Sequence, residues 1–312
     1  MPIRLADDLP AFAALQAEGV MVMREADARR QDIRPLRIGL LNLMPDKVRT
    51  ETQIARLLGA TPLQVEMTLA NVTSHLARTT PLDHLASFYR PWEELRDERF
   101  DGFVVTGAPV EQMPFEAVTY WNELRRFFAW TQEHVHRVLT ICWAAQAALH
   151  HFHGLPKHAL AQKAFGVFAQ HRLAPASPYL RGLADDFAIP VSRWTTIAPT
   201  DIPAGSGLEI LASCPDTGPG LIHDPAHRML HLLNHPEYDA TSLAEEYARD
   251  RRAGTAILPR NYFPGDDPSQ APPNTWRSHA HLLFANWIHE IYQTVPFDLR
   301  GGRWEKTQEP PR

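Results

Sequence analysis

Short apolar runs alternate along this chain with stretches of helical period, and that alternation restricts the fold more than any other feature. Arg37–Asn42 (RIGLLN), Phe103–Thr106 (FVVT) and Arg137–Ile141 (RVLTI) each read as a buried strand between polar or turn-forming flanks. Thr50–Leu58 carries Ile54, Leu57 and Leu58 at helical spacing and stops at Gly59, while Leu63–Leu69 alternates strictly between apolar and polar residues. Ala117–Glu133 reads as a long aromatic-rich helix, in which Trp121, Trp130 and Phe127–Phe128, with Trp92 upstream, are expected to pack the core. Ala144–Phe152 is helical and stops at Gly154-Leu155-Pro156. Leu208–Ala212 and Arg228–Leu233 read as strands, and Thr241–Arg252 and Trp276–Ile291 as helices. Strands joined through helices imply an α/β fold, with a mostly parallel sheet covered on both faces. Residues 35–299 are expected to form one such domain, after a charged, solvated lead-in (1–34) and before a polar tail (300–312).

Composition narrows the function classes. Of 312 residues 44% are hydrophobic and 21% charged, so a disordered or fibrous chain is excluded. The net charge of −5 with mixed signs gives no basic footprint for nucleic acid. No run approaches the roughly 18 apolar residues of a membrane span, and the N-terminus lacks a signal-peptide pattern. Two cysteines, Cys142 and Cys214, cannot build a disulfide framework. A cytoplasmic protein is the expectation.

The chemistry concentrates at Leu139-Thr140-Ile141-Cys142-Trp143-Ala144-Ala145-Gln146, where a buried strand turns directly into a helix. Such an elbow lifts a nucleophile out of the sheet at its carboxyl end. The helix start, from Trp143 on, offers free N–H groups and partial positive charge to a thiolate or an oxyanion. The other reading of Cys142 is a small core hydrophobe, and the position alone divides evenly between the two. Cys214 is expected to be structural. Among sixteen histidines, His235 is the best-placed base, because it follows the apolar run 229–233 and belongs to His235-Pro236-Glu237. Parallel strands open their carboxyl-end loops on one edge, so Cys142 and His235 can meet there, with Glu237 orienting the imidazole. Gly107-Ala108-Pro109, at another strand end, could bring backbone N–H groups to the same mouth. The patches His150-His151-Phe152-His153 and His279-Ala280-His281 lack the spacing of a metal site, and no metal is expected.

Seven segments together resemble one family: LNLMPDKVRTETQ, TSHLARTTPLDHLASFY, FDGFVVTGAPVE, ICWAAQAAL, HPEYDA, NYFPGDDP and TWRSHAHLLFANW. Between about Leu36 and Leu299 the chain is similar to the homoserine O-acyltransferases of the succinyltransferase type, used in methionine synthesis. That family shares a flavodoxin-like, doubly wound fold with class I glutamine amidotransferases. The resemblance implies ping-pong transfer from an acyl-CoA, with Cys142 as the acylated nucleophile, His235 as the base and Glu237 as its partner. It also implies substrate contacts from Lys163, Ser192 and Arg249, a cation at Lys47 beside the thioester carbonyl, and paired subunits. Position 111 separates donors in that family: glycine goes with succinyl-CoA and glutamate with acetyl-CoA. Here it is Glu111, which points to acetyl-CoA as co-substrate, with no bound cofactor and L-homoserine as acceptor. Three segments depart from the family pattern: Gly166-Val167-Phe168-Ala169-Gln170-His171, Ser192-Arg193-Trp194 and Asn234. They leave L-serine as an alternative acceptor, beside succinyl-CoA as an alternative donor. A glutamine amidotransferase or a non-catalytic binding protein on the same fold are the remote alternatives.

Overall fold

Five strands are apolar along most of their length because helices cover both of their faces. They are β3 (Leu36–Leu41), β4 (Val65–Asn71), β6 (Phe100–Val105), β7 (Val135–Ile141) and β12 (Met229–Leu232). The computed structural model describes residues 3–20, 22–24, 34–75, 80–255, 257–298 and 303–304. In it these strands lie in the order β4-β3-β6-β7-β12, every neighbour parallel. This is the flavodoxin-type order, and the chain reverses direction across the sheet between β3 and β6, where open α/β sheets bind ligands.

Helices α1 (Pro10–Ala17), α2 (Lys47–Leu58) and α7 (Arg277–Thr294) cover one face. Leu15, Ile54, Leu58, Leu283 and Trp287 there pack against Ile38, Leu40 and Val104. Helices α4 (Trp121–His134) and α5 (Trp143–His153) cover the other, with Phe127, Phe128, Ala147 and Ala148 against Phe103, Val105 and Val138. Trp92 and Trp121 are buried in this second layer, as expected. The Asp46 carboxylate accepts the Arg49 N–H at 3.2 Å and starts α2, while Gly154 (φ 68°) ends α5 in the left-handed conformation.

Two regions differ from expectation. Residues 3–24 are not a solvated lead-in: β1 (Ile3–Leu5) pairs with β4 and with β2 (Val22–Arg24), and α1 buries Ala11, Phe12 and Leu15. Most of the charged stretch that suggested a lead-in, 25–33, lies outside the described residues. Of the tail, only Arg303–Trp304 is described, paired with Phe297–Asp298. Beyond β12 the sheet continues antiparallel through β11 (Gly218–Asp224), β10 (Glu209–Cys214), β8 (His158–Arg172) and β9 (Asp186–Thr196). The β8–β9 hairpin was not expected, because its two strands carry no sustained alternation and hold Gly166 and Pro190 internally.

Gly166 is needed where it stands. It has φ +140°, and a Cβ there would lie 2.2 Å from the Arg260 carbonyl oxygen. The neighbouring bonds Arg260 N–H to Phe165 O (2.9 Å) and Val167 N–H to Arg260 O (2.9 Å) seat the 258–263 loop against β8. Gly166→Ala should therefore destabilise the fold by roughly 3 kcal/mol, from backbone overpacking added to dihedral strain. A urea midpoint unchanged from the parent would contradict this.

Candidate active site

Cys142 joins β7 to α5 with φ 52° and ψ −116°, a strained conformation for any residue but glycine. Its backbone N–H bonds Leu232 O at 2.6 Å, so the neighbouring strand β12 fixes the elbow. Ala145 and Gln146 are the first N–H groups of α5 to bond back to Cys142 O. The N–H groups of Trp143 and Ala144 precede them and have no partner within the helix. Gly107, after β6, packs so closely that a Cβ would meet Cys142 Cβ at 3.2 Å and His235 Cε1 at 3.7 Å.

β12 carries His235 to the same edge, and its backbone N–H is held by Pro190 O at 2.9 Å. His235 Nδ1 lies 2.7 Å from Glu237 Oε1, and the ring and Cys142 Cβ both border Gly107. Burial opposes a charged imidazole here, but Cys142 and Glu237 outweigh it and hold His235 well above its ordinary value. Tyr238 stacks on the ring at 4.2 Å, restricting its rotation. All three members of this Cys-His-Glu set are buried.

The set opens into a cavity of about 450 Å³ lined by Cys142, His235, Glu111, Lys163, Ser192 and Arg249, with Glu246 among its other walls. The loops after β3 (Met44, Pro45) and β6 (108–113) complete it, as the strand order requires. Glu111 is raised above the usual carboxylate range by burial, against the pull of His235 and Lys163. Glu246 organises the opposite wall: it accepts Ser192 Oγ (2.5 Å), Tyr238 OH (2.7 Å) and Lys163 Nζ (3.3 Å). Lys163 also bonds Asp250 at 3.0 Å. Arg249, 65% exposed, sits at the rim, 3.1 Å from Asp250 and 3.9 Å from Glu246.

The family model described as homoserine O-succinyltransferase matches residues 2–297. The chain belongs to that family. It is 68% identical over 300 residues to a homoserine O-acetyltransferase of Brucella canis, covering 96% of this chain and 98% of the relative. A protein of the same name from Rhizorhabdus wittichii is 67% identical over 306 residues, covering 97% and 96%. The chain is therefore an acyltransferase acting on homoserine. Among solved structures, a glutamine amidotransferase of Thermotoga maritima matches with TM-score 0.52 at 11% identity, over 84% of this chain and all of that one. Another from Methylobacillus flagellatus gives 0.51 at 12%, over 90% and 100%. At such identities the likeness establishes the fold alone.

Within this homoserine acyltransferase, six expected site residues meet in one cavity and three lie behind it. Glu237 supports His235 from the rear. Trp143 is fully buried and contributes its backbone, not its indole, to the elbow. Lys47 does not line the cavity: its ammonium donates to Asn42 O and Met44 O, tying down the 42–47 loop. Behind it, the buried Glu51 accepts Tyr89 OH at 2.6 Å and faces His84 Nε2 at 2.9 Å. Sequence reasoning missed Glu246, Tyr238 and Asp250. Tyr238 follows directly on the His-Pro-Glu signal, whereas the acidic residues of α6 (Ser242–Arg252) resemble any solvated helix face. Among the described residues, no helix is long and apolar enough to cross a membrane.

Burial lowers Lys47 from its ordinary 10.5 to about 8, against the pull of Glu51. Between those values the unfolded chain holds the proton and the folded chain does not, so Lys47 makes stability rise with pH across that window. The full effect is on the order of 3 kcal/mol. Urea unfolding at pH 8 and pH 10 should show the parent gaining on Lys47→Met, and a pH-independent difference would refute the assignment.

Proposed function

We propose that this protein transfers the acetyl group of acetyl-CoA to the hydroxyl of L-homoserine through a thioester on Cys142. The observation that carries the donor is Glu111, whose side chain shares the cavity with Cys142. It occupies space that a longer acyl chain would need and places a carboxyl group where succinyl would bring its own carboxylate. The homoserine O-acetyltransferase names of relatives at 68% identity support the same donor and acceptor.

The proton path follows from the placement of the three side chains. His235 takes the Cys142 proton, and the imidazolium is stabilised by Glu237. The thiolate attacks the acetyl-CoA carbonyl, and the first N–H groups of α5 face the developing oxyanion. The carbon–sulfur bond to CoA breaks, CoA leaves with the proton from His235, and acetyl stays on Cys142. Homoserine then binds with its carboxylate on Arg249, whose guanidinium can take both oxygens, and its ammonium toward Glu246. His235 removes the hydroxyl proton, the oxygen attacks the thioester, and the proton returns to the Cys142 sulfur.

Two outcomes test this. Intact-mass measurement after mixing with acetyl-CoA alone should show one added acetyl group per chain, absent in Cys142→Ala; a chain acetylated only when homoserine is also present would exclude the ping-pong order. Glu111→Gly should raise kcat/KM for succinyl-CoA relative to acetyl-CoA by about tenfold or more. Glu111→Gln separates the two causes, since it keeps the volume and removes the charge. An unchanged donor ratio in both variants would remove position 111 from donor selection.

A further inference from the structure

Far from the cavity, folding brings together side chains that the sequence keeps apart. Asp224, at the end of β11, is fully buried. His153 Nε2, from the last turn of α5, lies 2.6 Å from Asp224 Oδ2, and His227 Nδ1, from the β11–β12 turn, lies 2.8 Å from the same oxygen. The other oxygen, Oδ1, accepts the His227 backbone N–H at 3.2 Å, which fixes the carboxylate in place. Three potential ligand atoms thus lie within 4.8 Å of one another.

A fourth group faces this cluster from inside the protein. His231 on β12 is fully buried, and its Nε2 stands 4.0 Å from Asp224 Oδ2 with no hydrogen-bond partner among the described residues. Its other nitrogen, Nδ1, is 2.8 Å from Thr140 Oγ1. A buried ring nitrogen without a partner is costly, and neither tautomer relieves it: a proton on Nε2 is too far from the carboxylate, and a lone pair there faces an anion. A cation between them would satisfy both. Thr140 would then serve as the outer partner that ligating histidines usually have.

We propose that His153, Asp224 and His227, with His231 behind them, form a binding site for a divalent transition metal of the zinc type. Imidazole nitrogens with one carboxylate are a donor set suited to Zn²⁺ and unlike the all-oxygen sets of Ca²⁺ or Mg²⁺. Zinc bonds of about 2.0–2.2 Å would require the two imidazoles now on Asp224 Oδ2 to swing outward by about half an ångström. His153 ends a helix and His227 sits in a turn; the His227 ring, stacked on Phe152 at 4.1 Å and a quarter exposed, is the one placed to take up most of that shift. Neither histidine patch has metal-site spacing by itself, which is why no metal is expected from the sequence; here one histidine of the first patch joins two residues more than seventy positions away.

The site would be structural. It lies at the opposite end of β12 from His235 and ties the carboxyl end of α5 to the β11–β12 turn. The experiment adds ZnCl₂ alone to the metal-stripped full chain, in parent and Cys142→Ser backgrounds, so that the active-site thiol is accounted for. The expected result in both is one zinc retained per chain after gel filtration, with Tm raised by several degrees. Asp224→Asn and His227→Ala should each lose the retained zinc and the Tm response. His227→Ala removes a partly exposed ring and guards against a folding failure of the aspartate variant. With Co²⁺ in place of zinc, an intense visible spectrum should appear in the parent and vanish in His227→Ala. No retained zinc in the Cys142→Ser chain, or equal retention by His227→Ala, would overturn the proposal.

Discussion

The site depends on a left-handed backbone conformation at a residue that is not glycine. Holding Cys142 at φ 52° costs on the order of 1–3 kcal/mol, and such strain persists only where the surroundings over-determine it. Three constraints do so here. Leu232 O anchors the Cys142 N–H, α5 begins at the next residue, and Gly107 leaves no room for a shift toward β6. The result is a thiol raised above the sheet edge and facing an imidazole on the adjacent parallel strand. Because β7 and β12 run in register from Met229↔Val138 to Leu232↔Ile141, both chains leave the sheet at the same level.

What was legible in the sequence follows from how each part is buried. Strands covered on both faces must be apolar throughout, so β3, β6, β7 and β12 stand out as runs, and the helices between them show one apolar stripe. With that much fixed, the carboxyl-edge rule alone brings Cys142, His235 and Gly107 together. The antiparallel extension was opaque for the opposite reason: β8 reads HALAQKAFGVFAQHR, with its first five residues mostly exposed and its middle buried, so no single period describes it. The N-terminal segment is hard to read because its charged residues 24–34 outweigh the short apolar Ile3 and Leu5, which the edge of the sheet needs only as a three-residue strand.

At the level of side chains, chemistry was easier to read than position. Cys142, His235 and Glu237 are named by the reaction they can perform, and the geometry groups them. Lys47 shows the limit of such reading. A lysine near a strand end can serve an oxyanion or the backbone, and only the fold reveals that its ammonium is engaged by Asn42 and Met44 carbonyls. Glu246 is the converse case. Its three hydrogen-bonding partners come from β8, β9 and the loop after β12, so its importance arises from tertiary structure and leaves no local trace.

In the proposed thioester mechanism, transfer to an alcohol in place of water requires the reacting sulfur to be secluded while the acceptor's charged end is still recognised, and the site separates these demands in space. Cys142 is only 4% exposed, His235 is pinned between Tyr238 and Glu237, and the walls around them are loops drawn tight by Lys47 on one side and by Lys157 on the other. Lys157 donates to Glu111 O at 2.5 Å and to Met113 O, so the loop that carries Glu111 is itself braced. Charge recognition would then be displaced to the rim, where Arg249 is largely solvated. A zwitterion spanning from Arg249 and Glu246 inward would deliver its hydroxyl to the buried centre, whereas water has no such anchor and gains nothing from the rim. Selectivity for an amino-acid alcohol over hydrolysis can therefore come from the distance between rim and thiol, without a moving lid.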